Sequence, residues 1–267
     1  GSMGMMPGSM VPAGMHQVHS NGAMHPGGVI MAPIGMANGG YAAPGDQNGA
    51  RGGAGYAYPV GRGGAPMPLN LPGEVRGKPT GVASSELTVP YYEFMNSGMD
   101  VDLASIKGGE IPIDPETLIY LIRTQSDKKF QNDIEAMKKL KNSMLIDNVD
   151  FTKYDLIYIA GGWGAAYDLG YSEILGSKIS EAYYANKIIG AVCHGLLGLI
   201  NAKDKNGNLL ISGRKMTGVT DKQVKELGIE MTPQHPETEL RKAGVTFESK
   251  SKFNDLFANH VAVDDER

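Results

Sequence analysis

The 267-residue chain holds one cysteine, and its setting suits nucleophilic chemistry. In Ala191-Val192-Cys193-His194-Gly195 an apolar strand runs into Cys193, a helical pattern begins at once, and a glycine follows two places on. This is the elbow pattern of hydrolases with a thiol in place of the serine hydroxyl. A tight turn there lifts the side chain above the sheet, and Gly195 lets the chain pass closely. Backbone N–H groups and the start of the following helix would favour thiolate over thiol. A buried structural cysteine is the competing reading. His194 adjoins the nucleophile, but neighbours on a turn point apart. Its backbone N–H is therefore expected to matter more than its ring, which reads equally as structural or catalytic.

A second segment belongs with the first. Ala160-Gly161-Gly162-Trp163-Gly164 closes an apolar run one strand–helix unit earlier. Glycines at a strand's C-terminal end let backbone N–H groups point into a site, as an oxyanion hole needs. In an open α/β sheet that end is where ligands bind. Trp163 reads either as a pocket-lining aromatic that limits substrate size or as packing under a loop. Tyr167 and Asp168 carry no assignment. His235, in Pro233-Gln234-His235-Pro236, is expected to be an exposed loop residue rather than part of the site.

The elements that must position these residues alternate. Helical spacing is expected over Ser84–Met95, with Leu87, Tyr91 and Phe94 on one side and Pro90 as an obstacle unless it marks a kink. A charged amphipathic helix is expected over Asp127–Lys141, with Phe130, Ile134, Met137 and Leu140 inward and Lys138, Lys139 and Lys141 on a solvated face. Ser177–Asn186, His194–Asn201 and Pro236–Ala243 are further helices. Strands are expected at Asp100–Ala104, Leu156–Ala160, Ile188–Val192, Lys215–Val219, Val245–Glu248 and His260–Val263, with a hairpin turn at Asp204–Asn208. Short apolar strands alternating with helices predict an α/β fold: a mostly parallel, flavodoxin-like sheet with helices on both faces.

Composition divides the chain near residue 76. Before it Lys is absent and about half of the 37 glycines occur, which predicts a Gly/Met/Pro-rich segment, residues 1–76, largely disordered. Its apolar patch Val29–Ile34 reads as a short strand that Pro33 would confine to an edge or a strand end. Gly1-Ser2-Met3 reads as an expression scar. Residues 77–267 are expected to form the folded domain. A net charge of −4 gives no electrostatic case for nucleic acid or a membrane surface. No run of ~18 apolar residues occurs, and no secretory signal pattern opens the chain. A lone cysteine favours a reducing, cytoplasmic setting. No cluster has metal-ligand spacing, and no metal or other cofactor is expected.

Taken together, Gly161–Gly164 and Ala191–Gly195 resemble the ThiJ/PfpI (DJ-type) superfamily, in its branch of glutathione-independent glyoxalase III enzymes and stress chaperones. Gly77-Lys78-Pro79-Thr80-Gly81 before Glu86-Leu87-Thr88-Val89-Pro90 fits the same branch, as do Ala104–Gly109 with Pro112–Pro115 and Gly213–Asp221. The likeness covers about residues 77–267. It implies Cys193 as nucleophile, Glu86 as a protonated acid bonded to the thiolate, and Gly162 and His194 as backbone oxyanion-hole donors. It also implies a possible third acid at Asp221, a homodimer, and a small carbonyl substrate. Spacing alone would leave Glu86 as a helix-surface residue. The implied reaction is conversion of 2-oxoaldehydes such as methylglyoxal to hydroxy acids. A thiol hydrolase and an oxidation-sensing chaperone are the alternatives. Two departures stand out. The family's first strand is displaced upstream, to about residues 29–34. The chain also stops at Arg267, before the family's final segment, so either it is shortened or a partner completes the fold.

Overall fold

The structure is a computed structural model describing residues 80–119, 122–250 and 260–264, and the backbone of 28–31. The expectations for the rest of residues 1–76 lie outside the described residues. Strand β1 (Gly28–Met31) comes from within that Gly-rich segment. Helix α1 (Ser84–Asn96), strand β2 (Asp100–Ser105), helices α2 (Gln125–Asn132) and α3 (Ile134–Lys141), and strands β3 (Met144–Leu145) and β4 (Leu156–Ile159) follow. Next come α4 (Ala165–Asp168), α5 (Glu173–Tyr184), β5 (Ile188–Ala191) and a 3-10 helix over Cys193–Leu199. The last described elements are β6 (Lys215–Met216), α6 (Asp221–Leu227), α7 (Pro236–Lys242) and β7 (Thr246–Phe247).

Five strands form a parallel sheet in the order β3-β2-β1-β4-β5. The displaced strand is central, with Val29 registered on Val101 of β2 and on Leu156 of β4. β6 and β7 pair, also parallel, in a separate two-stranded sheet. Alternation along β4 places helices on both faces. Tyr158 meets Phe94 of α1 on one side, whereas Ile159 approaches Gly198 and Leu175 on the other. The core between these layers includes Leu87, Phe130, Ile157, Ile159 and Leu175, all fully buried.

Three expectations change. The long helix is two: Asp133 ends α2 and its side chain caps α3 by accepting from the Ala136 N–H at 3.0 Å. The break resets the helical phase, so Ile134, expected inward, is 81% exposed while Phe130 and Leu140 stay buried. Residues 260–263 form no strand, although they are described. They are held by a contact of His260 Nε2 with the Glu248 carboxylate and by the Arg214–Asp264 ion pair, both 3.5 Å, and Val261 and Val263 face solvent. The segment expected to be helical after Cys193 is the tighter 3-10 form. The Asp204–Asn208 turn closes an antiparallel bridge between Lys203 and Leu209, with the Asp204 carboxylate accepting from the Asn206 and Asn208 N–H groups.

Candidate active site

Cys193 leaves β5 with φ 57°, a left-handed value rare outside glycine that costs on the order of 1–2 kcal/mol in a side-chain-bearing residue. Three contacts impose it. The Val192 N–H donates to Ile159 O, the Gly195 N–H donates to Val192 O at 2.7 Å, and Gly195 lies so close to β4 that a Cβ would sit 2.4 Å from Ile159 O. The elbow expected from the sequence is present. The strain is held by packing, since His194 through Leu199 are buried.

The glycine turn lies opposite. A Cβ on Gly162, at φ +101°, would fall 2.4 Å from Ala83 N and 2.5 Å from Gly81 O. The Ala83 N–H donates to Gly161 O, and the Gly164 N–H donates to Gly81 O. This close approach brings the start of α1 to the end of β4, and with it Glu86. The Gly161 N–H donates to Glu86 Oε2 at 3.0 Å, and the Glu86 carboxyl hydrogen-bonds the Cys193 thiol. Backbone N–H groups of Gly162 and His194 are both directed at the sulfur. The structure therefore brings Cys193, Glu86, Gly162 and His194 together.

Pro90 explains part of Glu86's setting. It lies inside α1 and cannot donate to the carbonyl four residues back, which is that of Glu86. The Tyr158 hydroxyl takes that place, donating to Glu86 O at 3.1 Å. Burial, and then the charges of Glu86 and Cys193, hold the Tyr158 proton firmly in place. Sequence reading treated Tyr158 as one residue of an apolar strand. Its signal was a proline four residues after the acid, which demands an outside donor.

Burial raises Glu86 to about 7, against the lowering hydrogen bonds from Cys193 and Gly161. Burial also raises the Cys193 thiol, joined by the Glu86 charge, and the Gly162 and His194 amides oppose it. The expected preference for thiolate thus comes from two amides and is outweighed by desolvation and the neighbouring carboxylate. Near neutral pH the thiol therefore keeps its proton while Glu86 lies near its own midpoint. His194 is fully buried, and burial with the nearby His235 lowers it to about 4, so the ring is neutral. Its Nδ1 lies 3.4 Å from Cys193 Sγ, closer than adjacent turn residues were expected to come.

Other expected residues fall differently. Asp221 opens α6, and its carboxylate accepts from Thr238 Oγ1 at 2.8 Å; among the described residues His194 Nε2 has no hydrogen-bond partner, Asp221 included. His235 is half-buried beside His194 rather than an exposed loop residue. Trp163 and Cys193 both pack against a small apolar cluster of Val219, Val224 and Ile229. A groove of about 900 Å³ leads from Glu86, Tyr158 and Cys193 along β5. A neutral imidazole without an acid behind it is poorly suited as a hydrolase base. A thiol, a carboxyl near its neutral point and two convergent amides are suited to adding sulfur to a carbonyl and then moving a proton.

The chain is similar to several known proteins. A glutathione-independent glyoxalase of Schizosaccharomyces pombe is 28% identical over 181 residues, 64% of this chain and 74% of its own length. Glyoxalase 3 of Candida albicans is 30% identical over 148 residues, 54% of this chain, and the match spans 62% of that relative. Among solved structures, a rapid encystment protein of Francisella tularensis superposes with a TM-score of 0.66 at 29% identity, covering 85% of each chain. Glyoxalase III of Candida albicans gives 0.61 at 27% identity, covering 66% of this chain and 77% of that one. With the elbow cysteine, the glycine turn and the facing glutamate in one site, and residues 78–239 matching its sequence profile, the chain belongs to the DJ-1/PfpI family.

Proposed function

We propose that the protein converts small 2-oxoaldehydes such as methylglyoxal to 2-hydroxy acids without glutathione. The convergence of the Glu86 carboxyl and the Gly162 and His194 amides on the Cys193 thiol carries this reading. The sulfur adds to the aldehyde carbon, forming a C–S bond, and the carbonyl oxygen takes the thiol proton to give a hemithioacetal. The Gly162 and His194 N–H groups stabilise negative charge on that oxygen. Glu86, as carboxylate, removes the proton from the former aldehyde carbon and returns it to the neighbouring ketone carbon, while the hemithioacetal hydroxyl proton passes to the ketone oxygen, which becomes the 2-hydroxyl. The product is a 2-hydroxyacyl thioester. Water cleaves it, releasing the hydroxy acid and the thiol. Oxidation at one carbon balances reduction at the next, so no external redox partner is consumed.

The relatives named as a glutathione-independent glyoxalase and as glyoxalase 3 support the substrate class. The same reading has the enzyme work as a homodimer in the cytoplasm, where a thiol nucleophile stays reduced. Residues 77–267 are proposed as its catalytic domain, with β1 contributed from upstream. The test is lactate formation from methylglyoxal without glutathione, comparing the protein with Cys193→Ala. Lactate that disappears in the variant supports the reading; no lactate from folded protein with a reactive thiol overturns it.

A further inference from the structure

Glu86 lies in the first turn of α1, where a helix start normally relies on its own cap. Here the cap position is Ala83, which offers no side-chain hydrogen bond. The turn is held from outside instead. The Ser84 N–H donates to Thr117 Oγ1 at 3.0 Å. Asp127, fully buried at the start of α2, accepts from Ser84 Oγ and from Thr88 Oγ1, each at 2.6 Å and both on its Oδ1. Ser84 and Thr88 are one helical turn apart and flank Glu86 two residues to either side. They are themselves 1% exposed.

The other oxygen of Asp127 faces its own helix. Oδ2 accepts from the Thr124 N–H at 2.6 Å and from Thr124 Oγ1 at 2.8 Å, completing a capping box. One buried carboxylate thus joins two helices. Capping α2 alone would need only one oxygen, and a capping carboxylate is usually solvated. Burial opposes ionisation of Asp127, but the bonds from Ser84, Thr88 and Thr124 outweigh it and hold the group charged. A buried anion satisfied by hydroxyl and amide donors is costly to disturb, which makes the joint rigid.

We infer that Asp127 is a positioning residue for the reaction: through Ser84 and Thr88 it sets the turn of α1 that aims Glu86 at Cys193. Tyr158, on the opposite side, fixes the Glu86 carbonyl, so main chain and flanking side chains are held independently. This rests on the assignment of Glu86 and Cys193 as an interacting pair, and its test separates the two.

The readout is the pH profile of Cys193 alkylation by iodoacetamide, which does not depend on the natural substrate. Glu86 raises the thiol, so Glu86→Gln should move the alkylation midpoint to lower pH. Ser84→Ala/Thr88→Val removes the α1 side of the joint and should move the midpoint the same way by part of that amount. It should also lower kcat on methylglyoxal by roughly tenfold or more with little change in KM, as misplacement of a catalytic group does. Thr124→Ala removes the hydroxyl bond on the α2 side and keeps the Thr124 N–H bond to Oδ2; it should lower the melting temperature and leave the alkylation profile in place. These three variants keep the test open if Asp127→Ala fails to fold. A profile unmoved by Ser84→Ala/Thr88→Val but moved by Glu86→Gln makes Asp127 merely structural. Equal shifts from the Ser84/Thr88 and Thr124 variants overturn the inference as well. A profile unmoved by Glu86→Gln removes the pairing itself, and the proposed function with it.

Discussion

Each of the four residues at the site holds a conformation or proton state that an isolated chain would avoid. Cys193 has positive φ, Gly162 has a φ and a close approach that only glycine tolerates, Glu86 is an acid near 7, and His194 is a buried neutral ring. Gly162→Ala tests the amide. Its Cβ would meet Ala83 N at 2.4 Å, so the turn must move and take the N–H away from the sulfur. Lactate formation should fall by roughly 10²–10³, the usual cost of one oxyanion donor, in protein that retains its circular dichroism spectrum. Cys193 and Gly162 were legible because each carries a local signature: a strand meeting a turn at a reactive or conformationally free residue. Glu86 was legible only through family likeness. It lies 75 residues from the Gly161 amide it accepts from, and spacing holds no information about contacts made through topology. Asp127 was read as the opening of a charged helix, and only the fold reveals that both its oxygens are engaged.

At the scale of elements, a locally unfavourable residue is matched by a distant one. Pro90 frees the Glu86 carbonyl inside α1, and Tyr158 of β4 occupies it. The two should therefore be energetically coupled. Tyr158→Phe leaves a carbonyl without its donor and should cost about 1–2 kcal/mol in urea unfolding. In a Pro90→Ala background the restored helix N–H takes the carbonyl, and the same change should cost little. A double-mutant cycle in which Tyr158→Phe costs the same in both backgrounds would contradict this assignment. Sequence periodicity found most helices and strands, since burial repeats at 3.6 or 2 residues. It failed at Asp133, where a residue that ends one helix and caps the next shifts the phase without breaking the polar–apolar rhythm. It failed again at residues 260–263, where an alternating apolar pattern has no described strand to pair with.

Across the whole molecule, the site's proton states link stability to pH. Glu86 is raised from an ordinary 4.5 to about 7. Its preference for the proton favours the fold below about 4.5 and is lost as pH rises through about 7. Over that window the wild type should lose stability relative to Glu86→Gln by on the order of 3 kcal/mol, measured as the difference in urea midpoints. A gap that stays constant with pH would contradict a buried, raised carboxyl. His194 works in the other direction: lowered to about 4, it favours the fold at neutral pH and is lost as pH falls below 6.5. It is common to both proteins and cancels in the comparison. The strand within Val29–Ile34 was legible but its place in the sheet order was not, because nothing in its sequence says that β1 pairs on both sides.

The central claim is a division of labour, with Cys193 adding to the aldehyde and Glu86 moving the proton. It is tested most directly by ¹³C NMR of methylglyoxal labelled at the aldehyde carbon, mixed with the Glu86→Gln variant without glutathione. The account predicts a hemithioacetal resonance that depends on Cys193, accompanied by lactate formation slowed by roughly 10²–10⁴. Lactate appearing at the wild-type rate would contradict it, because the proton would then be moving without Glu86.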